Sequence, residues 1–225
     1  MDRHLVNFVL LAASLLSWLA SGSASAVVTI YPHTKGSTWK YALFRGGYTV
    51  TVVASSARHI TLKSSGSLAG VETMKLTPKG WTPAGVGKLR TSSVSGRPFE
   101  VKILHVSGVY MPRTKFWKPG YTWHDSMTRM ITPKGKGPGD ATFLSVRTDF
   151  KITGFRTIKV PAGVFHCFSV HLTFHSTERI GASKHGSPST RTDHLVEYCA
   201  KGAGMVEERV GKMVLQKLVS YHIAQ

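Results

Sequence analysis

The chain has 225 residues, 42% of them hydrophobic and 18% charged, with 29 Lys and Arg against 11 acidic residues for a net charge of +18. That hydrophobic share excludes a disordered chain, and a length of this order buries a real core. The charge balance points to anionic partners, and the few acidic residues show no spacing that marks a glycosidase pair.

The first predicted element is a leader. Arg3 precedes an apolar run from about Leu5 to Ala20, and small residues end at Ala24-Ser25-Ala26. This is the pattern of a secretory signal peptide over 1–26, cleaved after Ala26. The run is shorter than the roughly 20 residues that cross a bilayer, so a retained anchor fits it less well. Asp2 and Arg3 leave together, and the mature net charge stays +18. No cysteine lies near the cleavage point, so nothing marks a lipid-anchored lipoprotein, and no later run reaches membrane length. The expectation is a periplasmic or extracellular protein with no transmembrane span in the mature chain. Nucleic acid is not an expected partner there. The basic residues are scattered singly along the chain, and their convergence on one face is not legible.

From Val27 onward short segments rich in Val, Thr, Ile, Tyr and Phe alternate with Gly, Pro and Ser turns: TWKYALF, YTVTVVAS, HITLKS, VETMKLT, FEVKILHV, ATFLSVRTDFKI. No stretch sustains helical periodicity for three turns. This is the signature of antiparallel β-structure. Gly36-Ser37-Thr38-Trp39 is echoed by Gly120-Tyr121-Thr122-Trp123, and a Gly-x-Gly follows later in each half, at Gly85 and Gly87 and at Gly202 and Gly204. One mechanism suits both tetrapeptides: Gly adopts a positive φ at the strand entry, and Trp buries a large apolar face just beyond it. The echo divides the mature chain into two repeated lobes, 27–112 and 113–225, sharing one curved sheet. The join falls in MPRTKFWKPG, whose prolines discourage regular sheet. At Trp123-His124-Asp125 the expected arrangement is a buried Trp followed by a turn-capping Asp.

After the turn Pro161-Ala162-Gly163, alternation places Val164, His166, Phe168, Val170, Leu172 and Phe174 on a core face, with Phe165, Cys167, Ser169, His171, Thr173 and His175 on the other. Folding the next strand, Arg191 to Ala200, back symmetrically about Ser183 sets Cys167 opposite Cys199, Phe168 by Tyr198 and Val170 by Val196. Facing cysteines approach within ~5.5 Å between Cα atoms, close enough to bridge. A disulfide in an oxidising compartment, contributing about 3 to 4 kcal/mol through loop closure, is the expectation. A catalytic thiol would need an exposed, unbridged sulfur of low pKa. His171 and His175 share a face but lie ~13 Å apart along the strand, too far to chelate one metal ion. His166 reads as a core-edge histidine with a backbone partner. The final stretch, MVEERVGKMVLQKLVSYHI, reads as a hairpin interrupted by Gly211. No HExxH, GxSxG or phosphate loop occurs, so no catalytic residue, metal site or cofactor is assigned.

YPHTKGSTWKY, WKPGYTWHDSM, KVPAGVFHCFSV, YCAKGAGMVEERV and the closing KLVSY together resemble a family of exported bacterial β domains of unknown function, in which GxTW, VPAGxF and GxGxV recur in that order. The resemblance implies a fold like that of the lipoprotein carriers: a mainly β, curved antiparallel sheet forming an incompletely closed barrel with a concave face. The expected function is a non-enzymatic module binding a lipid or an anionic cell-envelope polymer. Trp39, Trp81, Trp117 and Trp123 are the candidate ligand contacts, against the plainer reading that each fills core. The alternative is an interaction subunit of an envelope or secretion assembly, whose partner is another envelope protein.

Overall fold

The computed structural model describes residues 30, 32–43, 46–84, 89–94, 97–181 and 188–225. The leader 1–26, the Gly85 and Gly87 pair and part of the loop expected between the two cysteine strands lie outside the described residues.

Among the described residues fourteen strands follow one another: β1 (Thr38–Leu43), β2 (Gly47–Ser55), β3 (His59–Gly66), β4 (Leu68–Leu76), β5 (Gly80–Pro83), β6 (Leu89–Val94) and β7 (Arg97–Gly108). Then come β8 (Met111–Pro112), β9 (Thr122–Pro133), β10 (Thr142–Val160), β11 (Gly163–Ile180), β12 (Ser189–Ala200), β13 (Gly204–Val210) and β14 (Met213–His222). Short 3-10 turns stand at Thr114–Phe116 and Pro138–Asp140, and no α-helix occurs among the described residues. None of these residues forms a helix long and apolar enough to cross a membrane.

The strands form a single antiparallel sheet in which chain neighbours are mostly sheet neighbours, and β14 returns to pair with β1. The sheet curls until β3 meets β4 and β4 meets β6, but the second contact consists of two residue pairs, Leu68 with Val94 and Ala69 with Ser93. The result is an incompletely closed barrel with a thin seam. On the opposite side β10 and β11 pair over almost their whole length, from Thr142 with Ile180 to Val160 with Gly163.

Alternation explains which side chains go inside. Trp39, Val50, Leu62, Trp123, Phe150, Ile152, Val170, Leu172, Leu195 and Leu218 lie on the inner face and belong to one continuous apolar cluster. Gly36 and Gly120 both have positive φ, 93° and 86°, so the same left-handed entry precedes Trp39 and Trp123. The C-terminal stretch is the expected hairpin, β13 with β14, turned at Gly211.

Two expectations are corrected by register. β11 and β12 pair one residue away from the symmetric fold-back, so Cys167 faces Ala200 and Cys199 faces Phe168. Consecutive residues of a strand point to opposite faces, so the two sulfurs lie on opposite sides of the sheet, and both cysteines are thiols rather than halves of a disulfide. The second correction concerns the tip of the β10–β11 hairpin. A bulge between Ile152 and Gly154 kinks it, and the Ala162 N–H reaches the Leu218 carbonyl of β14. Beyond the kink the burial inverts: Ile158, Val160 and Cys167 are covered, while Val164 and His166, expected in the core, are exposed.

Candidate binding site

The four candidate tryptophans are all buried, and three spend their indole N–H inside the protein. Trp39 Nε1 donates to the Ala203 carbonyl at 2.8 Å, Trp117 Nε1 to Pro112 at 3.1 Å and Trp123 Nε1 to Tyr110 at 3.4 Å. A buried indole donor held by a backbone carbonyl fixes its ring and ties distant strands together. Trp39 thereby joins β1 to the turn before β13. Trp81 meets the edge of the His33 ring at 5.0 Å. His33 is buried, neither ring nitrogen has a hydrogen-bond partner among the described residues, and desolvation holds its pKa down at about 3. Trp39 and Trp81 are therefore core.

Trp117 and Trp123 belong to something longer. Trp123 stacks on Phe150 with centroids 4.8 Å apart and planes at 5°, and meets Tyr121 at 5.8 Å and Trp117 at 6.0 Å. Trp117 presents an edge contact to Phe168 at 5.4 Å, Phe168 meets Phe155 at 4.7 Å, and Phe155 stacks on His166 at 5.1 Å. A side branch runs from Tyr121 to Phe116 at 5.2 Å, with the Lys115 ammonium over the Phe116 ring at 5.0 Å. The ladder starts in the core and ends in solvent: Trp123 is 7% exposed and Phe155 48%, and Val164, farther along the hairpin toward its turn, is 65% exposed. The segments that carry the ladder are basic, with Arg113, Lys115 and Lys118 at and beside the 3-10 turn and Arg156 and Lys159 on the hairpin, all exposed. No acidic residue occurs in 113–123 or 153–168. His166, expected to take a backbone partner at the core edge, instead forms the outermost rung.

The interior holds acids that the alternation did not predict. Glu197 on β12 lies directly across from Glu208 on β13, and Glu208 across from Gln216 on β14, all three buried. Gln216 Nε2 donates to Glu208 Oε2, and the Tyr48 hydroxyl donates to Gln216 Oε1 at 2.6 Å. The Cys199 thiol stands 4.0 Å from Glu197 Oε2, and Tyr41 stacks on Tyr48 at 5.1 Å. Glu197 Oε1 and Glu208 Oε1 find no hydrogen-bond partner among the described residues. An unpaired carboxylate in such surroundings costs several kcal/mol, so the proton stays on. Desolvation raises both pKa values, and the facing Glu208 adds to the rise at Glu197.

Asp125 is the third interior acid. It stands on β9 opposite Thr148, in a strand rather than capping a turn as expected. Burial raises its pKa to about 7, against the pull of the Thr148 hydroxyl and the Arg129 guanidinium. The signal for this interior row is visible only once the register is known: Leu195, Glu197 and Cys199 alternate inward where Val196 and Tyr198 were expected. Among the described residues no cluster of three His, Cys, Asp or Glu side chains is arranged to hold a metal ion. Cys167, buried on the other face, has its thiol pKa pushed up to about 12, chiefly by desolvation, which leaves it a poor nucleophile.

No family model matches the chain, and no curated protein does. Three solved structures are similar. An inferred lipoprotein from Parabacteroides distasonis is 16% identical, with a TM-score of 0.49 over 88% of this chain and 100% of that one. An inferred exported protein with a YmcC-like fold from Bacteroides fragilis is 14% identical, with a TM-score of 0.45 over 87% of this chain and 99% of that one. The hypothetical lipoprotein YmcC from Escherichia coli is 11% identical, with a TM-score of 0.37 over 96% of this chain and 94% of that one.

Proposed function

We propose that the protein is an exported, non-catalytic β module that docks an amphipathic, anionic molecule of the cell envelope at the aromatic end of its sheet. The single observation that supports this is the ladder from Trp123 to Phe155 and His166, which leaves the core through segments that carry exposed Lys and Arg and no acid. Aromatic rings and basic side chains side by side match the boundary between acyl chains and acidic headgroups, where rings bury their faces and ammonium groups stay in water. The leader-like residues 1–26 support export. A non-catalytic reading is supported by the interior acids, which are sealed from solvent rather than poised in an open cleft.

The test is cosedimentation of the mature protein with vesicles of phosphatidylglycerol and phosphatidylcholine, compared with phosphatidylcholine alone. The parent is expected to bind the anionic vesicles. Phe155→Ser with Val164→Ser, both at exposed positions, is expected to lose most of that binding with an unchanged melting temperature. Equal binding by parent and variant would refute the proposal.

A further inference from the structure

The outward face of β7, β9, β10, β11 and β12 carries a second surface, remote in chemistry from the aromatic end. Register sets its side chains in four cross-strand rows. The first runs His105, Thr128, Ser145, Thr177, Thr190, and the second Ser107, Ser126, Arg147, His175, Thr192. The third runs His124, Asp149, Thr173, His194, and the fourth Thr122, Lys151, His171, Val196. Five of the chain's eleven histidines fall in these rows, and all five are exposed. Hydroxyls orient two of them: Thr192 Oγ1 lies 3.2 Å from His175 Nδ1, and Thr173 Oγ1 lies 3.3 Å from His194 Nδ1.

The rows contain one acid. Asp149 is taken up by Arg147, whose Nε and a terminal nitrogen donate to it at 3.2 and 2.8 Å, and His175 Nε2 lies 3.5 Å away. Around the border, Lys102 and Arg179 continue the positive charge, Glu100 stands one row beyond Lys102, and Glu207 is engaged by Arg209. With neutral imidazoles, Arg147, Lys151 and Asp149 give the rows a charge of +1; with the five imidazoles protonated it becomes +6. Imidazole is the side chain that changes charge between pH 5 and 8.

We propose that this face docks an extended anionic polysaccharide and grips it more tightly as the pH falls through the histidine range. The geometry favours a glycan. Side chains repeat every ~7 Å along each strand and every ~4.8 Å across the sheet, offering an array of cations interleaved with Ser and Thr hydroxyls. The exposed large apolar side chains, Val71, Leu104, Phe155, Val164, Ile180, Met213 and Tyr221, all stand outside the rows, which argues against a lipid surface. No Phe, Tyr or Trp stands in the rows to stack a base, which argues against a single-stranded nucleic acid.

The experiment titrates the mature protein with dextran sulfate, neutral dextran and a single-stranded oligonucleotide at pH 7.5 and 5.5 in constant salt. Dextran sulfate is expected to bind about tenfold more tightly at the lower pH, neutral dextran not to bind, and the oligonucleotide to bind more weakly. The variant His124→Gln, His171→Gln, His175→Gln, His194→Gln, which leaves His105 as the one imidazole of the rows, is expected to lose most of the pH dependence. A control, Lys63→Gln with Lys75→Gln on the far strands β3 and β4, is expected to keep it. Thermal melts of both variants report their folding; should the fourfold variant melt below the assay temperature, Lys151→Glu alone is expected to weaken dextran sulfate binding at both pH values. A pH-independent affinity, a histidine variant that retains the dependence, a control that loses as much, or tighter binding of the oligonucleotide would each overturn the proposal. Dextran sulfate has no acyl chain, so its failure to bind leaves the vesicle result at the aromatic end untouched.

Discussion

Buried titratable side chains, three carboxyls and one imidazole among them, couple this protein's stability to pH. Glu208 in the folded state is raised to about 8 and Asp125 to about 7, and both return to about 4 on unfolding. The folded state therefore holds protons that the unfolded chain has released. Their contribution to stability is fully present below about pH 4 and is lost as the pH rises to about 8. His33 works in the opposite sense: it is held neutral down to about pH 3, so stability is lost as the pH falls below the ordinary imidazole value. Glu208→Gln isolates the acid term, because an amide keeps an acceptor for Gln216 and cannot ionise. The parent's melting temperature is expected to fall between pH 5 and pH 8.5, and that of Glu208→Gln to fall less. Circular dichroism melts at the two pH values check this, and parallel curves for the two proteins would contradict it.

Strand register governs the cysteines. A symmetric fold-back about Ser183 matched Phe168 with Tyr198 and Val170 with Val196, a sound pairing by hydrophobicity alone. The structure instead matches Val170 with Glu197 and Phe168 with Cys199, because β12 must also present its inner face to β13, where Glu208 and Met205 lie across from it. Apolar matching cannot foresee a carboxyl in the core whose partner is another carboxyl on the next strand. The consequence is testable: two thiols per chain are expected to react with a disulfide reagent in denatured, unreduced protein, and none at Cys167 while folded. A count of zero after denaturation would restore the bridge and the symmetric register with it. The hairpin tip shows a related limit of periodicity. Alternation places Val164 and His166 inward, and it does so correctly for Val170, Leu172 and Phe174. Past the bulge at Ile152 and Gly154 the tip leaves the barrel and leans on β14, so its other face becomes the covered one.

The incompletely closed barrel is held with uneven strength around its circumference. β10 and β11 hold each other through eighteen paired residues, whereas β4 and β6 share two pairs. Opening at β4 and β6 breaks few hydrogen bonds and leaves the long hairpins intact, so local unfolding is expected to begin there. Hydrogen exchange followed by mass spectrometry should show faster exchange in peptides covering Leu68 and Ala69 than in those covering Phe168 to Phe174. Equal protection in the two regions would mean that the seam is as firmly held as the hairpin. The same asymmetry places both proposed surfaces on the firm side of the barrel: the aromatic end and the histidine rows are both built on β9, β10 and β11.

By itself the sequence determined the structural class, because β-branched and aromatic runs punctuated by Gly and Pro are a local signal that needs no knowledge of what packs on what. It also determined the glycine-led entry to Trp39 and Trp123 and the overall positive charge. Tertiary structure alone decided which residues face inward at β12, that Trp117 and Trp123 continue into an exposed aromatic ladder, and that five scattered histidines meet on one face. A two-residue period survives a one-residue slip unchanged in form while sending every side chain to the other side, and only the neighbouring strands choose between the two. Charges separated by tens of residues come together through strand pairing, which no local pattern records.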